Sequence, residues 1–476
     1  YLAENRDRVD FLRKLTDEKV FYVVPTINPD GRAYWFSGPN TTHSSRSGKS
    51  PLDDDRDGEA DEDGYDDLNG DGQITEMRRK DPNGGYKISP SDPRLMVPIR
   101  ADEDYQGDRY ELLGGEGIDN DGDGQVNEDP PGGYDMNRNW PADWQPPSQQ
   151  GGAGDYPLCW PETRAVAEFL LDHPNVAGVQ ALHNAGGMIL RGPGHPSRQA
   201  EYPRQDEQVA GEIGRVGARL LPFYRSMIIH SDLYPVHGGF IGWAYEHLGI
   251  FSFTNELWNN DQLLGQPPAG GSTLARAVGA VDEDNQLFAN DRLLFRSQYV
   301  PWTKVKHPLY GDIEVGGFVK QSQRVPPSFL IEELCHRNAA FVVYHADQMP
   351  RLEWDDVKAE RLSANDPAAG YVVAASVKNT RSLPTRARQA VNRKLGLPDR
   401  FTIAGPGLTV AGGGLLTDRD TGEMTLVEHR PETVPNDPGI SGGEVARVRW
   451  FVRGQGKATV IYSAQKGGTL TRTVDL

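Results

Sequence analysis

Apolar residues along this chain follow two periodicities, and the change between them divides the sequence. From the first residue to about 347, helix-spaced and strand-like stretches alternate. In Tyr1–Glu18, Leu2, Val9, Leu12 and Leu15 lie near a 3.6-residue period, which predicts a helix. Val20–Ile27 is a continuous apolar run closed by Asn28-Pro29-Asp30-Gly31, which predicts a buried strand and a turn. Further helices are predicted over Pro161–Leu171, with Pro in the first turn, over Gln205–Leu221, and over Ser328–Met349. Val176–Leu182 and Gly249–Leu257 read as two more buried strands. Such alternation predicts an α/β fold with a mixed, mostly parallel sheet flanked by helices. After Pro350 the period becomes two. Ala446, Val448, Trp450 and Val452 alternate with Arg447, Arg449, Phe451 and Arg453, and Lys457–Ala464 and Thr469–Leu476 follow after Gly-rich turns. This predicts a C-terminal all-β sandwich. The expected domains are 1–351, carrying an acidic insertion at 50–130, and 352–476.

Composition narrows the functional classes. The net charge is −18, and between Asp53 and Asp129 25 acidic and 8 basic residues leave −17 of it. The rest of the surface is nearly neutral, without the basic stripe a nucleic-acid partner needs. No apolar run reaches the ~18 residues of a membrane span. Cys159 and Cys335 form no disulfide framework and no cysteine-based zinc site, and either one bridge or two thiols is open.

The acidic window holds three copies of one pattern, starting at Asp53, Asp67 and Asp119. Oxygen donors at alternate positions, Gly at the sixth and Glu at the tenth are how a chain curls around a hard cation. The expected ligands are Asp53, Asp55, Asp57 and Glu62; Asp67, Asn69, Asp71 and Glu76; and Asp119, Asp121, Asp123 and Glu128. This amounts to two or three Ca²⁺ sites. The apolar eighth residues Ala60, Ile74 and Val126 are expected to pin each loop to a core.

Four motifs carry further chemistry: Asn28-Pro29-Asp30-Gly31, Asp135-Met136-Asn137-Arg138-Asn139-Trp140, Leu182-His183-Asn184, and Thr254-Asn255-Glu256-Leu257. They set a His and a Glu at the ends of two strands, where an open α/β sheet builds its binding crevice. An imidazole can hold Zn²⁺, a carboxylate can move a proton, and a guanidinium can clamp a carboxylate. Together and in this order they resemble the carboxypeptidase A-like zinc metallocarboxypeptidases over residues 1–347, around the insertion.

The resemblance implies a role for each residue. His183 would be a zinc ligand, and Asn137 and Arg138 would grip the substrate's terminal carboxylate. Glu256 would be the general base, and Tyr234 the tyrosine that caps the substrate. Ile241 would sit at the base of the specificity pocket, favouring an apolar C-terminal residue. The oxyanion arginine would be Arg46, preferred by spacing, or Arg78, whose local sequence is similar.

The family's other two zinc ligands come from a His-x-x-Glu motif upstream of the helix with which this chain opens. His429-Arg430-Pro431-Glu432 lies in the β unit and is read as chance. Three alternatives follow: a longer parent chain, cleavage with the leading fragment kept as a partner or lost, or a pseudoenzyme. The expectation is an extracellular or periplasmic zinc carboxypeptidase acting on peptide or protein C-termini. Self-association through the β unit is a further expected contact. The rival is a calcium-stabilised structural or adhesive protein on an inactive carboxypeptidase fold.

Overall fold

A computed structural model describes residues 1–264, 282–363, 365–366, 369–418 and 420–476. The opening helix is two helices, α1 (Leu2–Asn5) and α2 (Asp10–Glu18), because Val9 is extended between them. Arg6 then folds back onto Thr16 and Asp17, a contact one straight helix forbids. Leu12 and Leu15 are buried against Val343 and Ala346 of the helix Ser328–Asp347. The strand expected over Val20–Ile27 is absent. This run joins no sheet, and Val20, Val23 and Val24 are 71%, 78% and 54% exposed. Its apolar character reflects a position along the wall of a cleft rather than in a ladder. The Asn-Pro-Asp-Gly turn starts α3 (Pro29–Phe36), with Pro29 in the first turn and Asn28 as its cap.

The acidic window is more than loops. It contributes β1 (Glu76–Lys80), β2 (Tyr86–Ile88), β3 (Met96–Pro98) and β4 (Tyr110–Gly115). The central layer follows, with α4 (Pro161–Asp172), β5 (Gly178–Asn184), β6 (Met188–Arg191), α5 (Arg204–Leu220), β7 (Arg225–Ile228), α6 (Phe240–Leu248) and β8 (Phe251–Leu257). The sheet order is β5-β8-β6-β7. β5 and β8 are parallel, as are β6 and β7, while β6 and β8 run antiparallel. The sheet is therefore mixed and four-stranded. One face packs against α4 and α6 through Leu170, Trp243 and Ala244, the other against α5 and the helix Ser328–Asp347 through Ile213 and Phe341. Gly217 lets α5 approach closely, since a Cβ there would lie 2.7 Å from the Phe341 ring.

The chain then returns to the acidic unit. The hairpin β9 (Tyr299–His307) and β10 (Gly311–Phe318) completes an antiparallel sheet in the order β3-β2-β4-β1-β10-β9. Met77, Ile313 and Val315 form its core, and Leu68 and Val126 from the loops pack on it.

From Leu352 strands predominate, with one short helix at Arg388–Arg393: β11 (Leu352–Arg361), β12 (Tyr371–Asn379), β13 (Asp399–Ala404), β14 (Thr409–Leu416), β15 (Met424–Leu426), β16 (Thr433–Asn436), β17 (Val445–Arg453), β18 (Lys457–Ala464) and β19 (Gly468–Asp475). They form two antiparallel sheets, β11-β12-β17-β14-β15 and β16-β13-β18-β19. Alternate residues of both, including Val373, Val448, Trp450, Phe401, Val460 and Tyr462, share one core. Buried polar groups tie this unit to the rest. Asp206 of α5 accepts the backbone N–H of Arg388 and of Gln389, each at 3.0 Å. Cys159 and Cys335 are free thiols. Among the described residues no helix is long and apolar enough to cross a membrane.

Candidate active site

One cleft of about 1490 Å³ collects Arg46, Asn137, Arg138, His183, Tyr234, Ile241 and Glu256. Strand register sets its centre. In the parallel pair β5–β8, His183 lies directly opposite Glu256, so both side chains leave the same face. Their closest approach, His183 Nδ1 to Glu256 Oε1, is 3.8 Å. Burial raises the Glu256 carboxyl above the usual range, opposed by the charges of His183, Arg324, Arg46 and Arg138. A carboxyl raised in this way takes and returns a proton more readily than an ordinary glutamate.

Asn137 and Arg138 sit in a short 3₁₀ turn capped by Asp135, whose carboxylate accepts the Asn137 N–H at 2.8 Å. Asn137 Oδ1 accepts the N–H of Phe240 at 2.9 Å, and Arg138 donates to the Asn137 carbonyl at 2.8 Å. The Gly238-Gly239 turn lies flat on this backbone. Gly238 has φ +63°, and a Cβ there would lie 2.1 Å from the Arg138 carbonyl oxygen. Only glycine satisfies both constraints. Tyr234 ends the preceding turn and is 40% exposed at the cleft rim. Ile241 is buried among Trp140, Phe240 and Trp243, and it also borders the cleft.

The two arginine candidates separate clearly. Asn28 holds the first of them in place: its Oδ1 accepts the Gly31 N–H, and its Nδ2 donates to the carbonyls of Ser45, Arg46 and Ser47. This brings Arg46 into the cleft, 3.9 Å from Asp135. Arg78 belongs to β1 and is buried elsewhere. It pairs with Glu314 at 2.8 Å and stacks over Trp302 at 4.0 Å. One cleft residue carries no sequence signal. Arg324, followed by Val325-Pro326-Pro327, donates to the Asn184 carbonyl and to His43, and its charge is felt by Glu256. Only the fold brings it there.

The three acidic loops share one construction. In each, the first Asp accepts backbone N–H groups of its own loop: Asp53 from Gly58, Asp67 from Gly70 and Gly72, Asp119 from Gly122 and Gly124. In each, a fully buried carboxylate from elsewhere accepts the N–H groups of positions two and nine. Asp129 serves Asp54 and Asp61, Glu116 serves Leu68 and Thr75, and Asp63 serves Asn120 and Asn127. Asp63 ends the first loop and Asp129 ends the third, so these two loops clamp each other. Asp53, Asp55 and Asp57 offer oxygens within 4.8 Å of one another, as do Asp119, Asp121 and Asp123, and as do Asp55, Glu62 and Asp129. Burial and neighbouring carboxylates push Glu62 and Glu128 up to about 7. Ile74 is buried and Val126 packs on the Met77 cluster, whereas Ala60 is exposed and pins nothing. Glu76 opens β1 with an exposed side chain and joins no such oxygen group among the described residues.

Comparison with known proteins finds one family over the middle of the chain. Residues 102–277 match the zinc carboxypeptidase family model, a stretch holding Asn137, Arg138, His183, Tyr234, Ile241 and Glu256 but not Arg46. The chain thus carries a zinc carboxypeptidase segment. Residues 351–475 match a domain of unknown function. A zinc carboxypeptidase of Simulium vittatum is 29% identical over 172 residues, 33% of this chain and 56% of that protein. Mast cell carboxypeptidase A of Homo sapiens is 31% identical over 138 residues, 26% of this chain and 32% of that protein. The solved structure of bovine thrombin-activatable fibrinolysis inhibitor in complex with tick carboxypeptidase inhibitor aligns with a TM-score of 0.28. Its identity is 19%, over 45% of this chain and 56% of that one. The chain spans about half or less of the length of these curated relatives.

Proposed function

We propose that this protein is a metallocarboxypeptidase that removes C-terminal residues, preferentially apolar ones, from peptides. The observation that carries this reading is the convergence of the Asn137–Arg138 turn, Arg46, Tyr234 and the His183–Glu256 pair on one cleft. Arg138 and Asn137 bind the terminal carboxylate through charge-assisted hydrogen bonds, and Tyr234 covers the bound residue. Glu256 takes a proton from the attacking water and passes it to the leaving amine. Arg46 meets the developing oxyanion. Ile241 gives the side-chain pocket an apolar wall.

Zinc requires a separate test. A catalytic zinc site takes three protein ligands. His183 belongs to no group of three metal-ligating side chains among the described residues. These residues alone do not fit the ion, and no step above passes through it. The same observation favours a second reading, a calcium-stabilised structural or adhesive protein on an inactive carboxypeptidase fold. We further propose that the acidic loops hold two or three Ca²⁺ ions, that residues 352–476 form a β-sandwich domain, and that the protein works outside the cytoplasm, where millimolar calcium fills weak sites.

Hydrolysis separates the two readings. The protein, supplied with Ca²⁺ and Zn²⁺, is offered N-blocked dipeptides ending in Phe and in Lys. We expect release of Phe over Lys, and a loss of about 10²–10⁴-fold in Glu256→Gln. Folded protein that cleaves neither peptide overturns the catalytic reading, and a preference for Lys overturns the apolar pocket.

A further inference from the structure

A second group of ligating side chains stands apart from the His183–Glu256 pair, with two of its members, Asp143 and His195, on the wall of the same cleft. Asp143, His195 and His237 offer ligand atoms that all lie within 4.8 Å of one another, and all three residues are half-buried. They come from three separate loops. Asp143 follows the Asn137–Arg138 turn, His195 precedes the 3₁₀ helix Pro196–Glu201, and His237 precedes Gly238. The two imidazoles stack with centroids 4.4 Å apart. His237 Nδ1 lies 2.7 Å from Asp143 Oδ2, and His195 Nδ1 lies 2.8 Å from Ser197 Oγ.

Each part is held in place before any ion arrives. Asp143 has φ +53°, a left-handed conformation that Asp tolerates better than most residues and that still carries strain. The His237 N–H donates to Gln150 Oε1 at 3.0 Å. The nearby cation Arg198 is already engaged, donating twice to Glu246 Oε2 at 2.9 and 2.6 Å. None of the carboxypeptidase steps uses this cluster.

We propose that Asp143, His195 and His237 form a binding site for a first-row divalent transition-metal ion. Two imidazoles and one carboxylate suit Zn²⁺, Ni²⁺, Co²⁺ or Cu²⁺, whereas Ca²⁺ and Mg²⁺ prefer all-oxygen sites. Donors around 2.0–2.1 Å from a tetrahedral ion stand about 3.3 Å apart. The 2.7 Å contact is therefore the proton-sharing state, and an ion entering between His237 and Asp143 opens it slightly and displaces the proton. His237 follows Tyr234 after two intervening residues, and Gly238 lies on the Arg138 backbone. The ion therefore fixes the turn that links the tyrosine to the carboxylate clamp.

Co²⁺ titration of the full chain tests this, with Ca²⁺ present to fill the acidic loops. Binding is read by calorimetry, by proton release in weak buffer and by the visible spectrum of nitrogen-ligated Co²⁺. His195→Asn is the main variant, because Asn also caps a helix start and keeps the local fold. His237→Asn and His183→Ala complete the set, each checked for an unchanged unfolding midpoint without Co²⁺. We expect one equivalent of Co²⁺ bound by the wild type and by His183→Ala, with at least tenfold weaker binding in His195→Asn and His237→Asn. Unchanged affinity in both of those variants, or no binding by the wild type, overturns the proposal.

Discussion

At the residue scale, two arginines that the sequence left in competition have opposite surroundings, and their variants should part accordingly. Arg78 is buried against Glu314 and Trp302, so Arg78→Met leaves a half-buried carboxylate unpaired. We expect it to cost about 2 kcal/mol of stability, read as a lower denaturation midpoint, with little effect on turnover in the folded fraction. Arg46→Met should do the reverse, because Arg46 is half-exposed and its one ion-pair contact is 3.9 Å long. Stability should stay within about 0.5 kcal/mol, and kcat should fall about 10²-fold. Glu256 gives the pH dependence. Its carboxyl is raised by burial, so the active carboxylate is lost at a higher pH on acidification than an ordinary glutamate would show. The acid limb of kcat/KM should therefore lie above the usual glutamate range and vanish in Glu256→Gln. His183, Glu256, Asn137 and Arg138 were legible because each sits in a short sequence with a distinct chemical logic. Arg324 was not legible, since a single Arg before Val-Pro-Pro says nothing about a cleft 140 residues away from Asn184 in sequence.

At the element scale, the amphipathic helices α4 and α5 and the strands β5 and β8 follow their apolar patterns to within a few residues, although β5 buries only Ala181. They were readable because each buries a face against neighbours. Val20–Ile27 looked like a strand from its apolar run, yet such a run fixes neither a ladder nor burial, and here it borders the cleft with its valines exposed. The hairpin β9–β10 escaped notice because its partner β1 lies more than 200 residues earlier, a pairing that no local period reveals. The turn at Asn28 joins element to site. Its side chain caps α3 and holds the backbone of Ser45–Ser47, so it fixes Arg46 from beside the cleft. Asn28→Ala should cost about 1 kcal/mol through the lost cap. It should also lower kcat more than it raises KM, as expected of a positioning residue.

At the scale of the whole molecule, the charge of −18 resolves into one acidic-loop unit and an otherwise near-neutral body. The first and third loops clamp each other through Asp63 and Asp129, so they should fill and empty together, while the second loop, clamped by Glu116, should act alone. The sign of the pH effect follows from Glu62 and Glu128, both raised to about 7. Without Ca²⁺ these two carboxyls hold more protons in the folded than in the unfolded chain between about pH 4.5 and 7, so their own contribution to stability should fall as pH rises through that window. Bound Ca²⁺ favours the ionised carboxylates and should reverse the trend, which thermal unfolding at pH 5 and 7.5 with and without chelator will read. The central claim concerns the cleft: it recognises a free C-terminal carboxylate through Arg138 and Asn137. Calorimetric binding of one peptide ending in Phe, as free acid and as C-terminal amide, tests that claim most directly. We expect the acid to bind at least tenfold more tightly, with the difference lost in Arg138→Met, consistent with a charge-assisted contact of about 1.5–3 kcal/mol. Equal binding of acid and amide by the wild-type protein would contradict it.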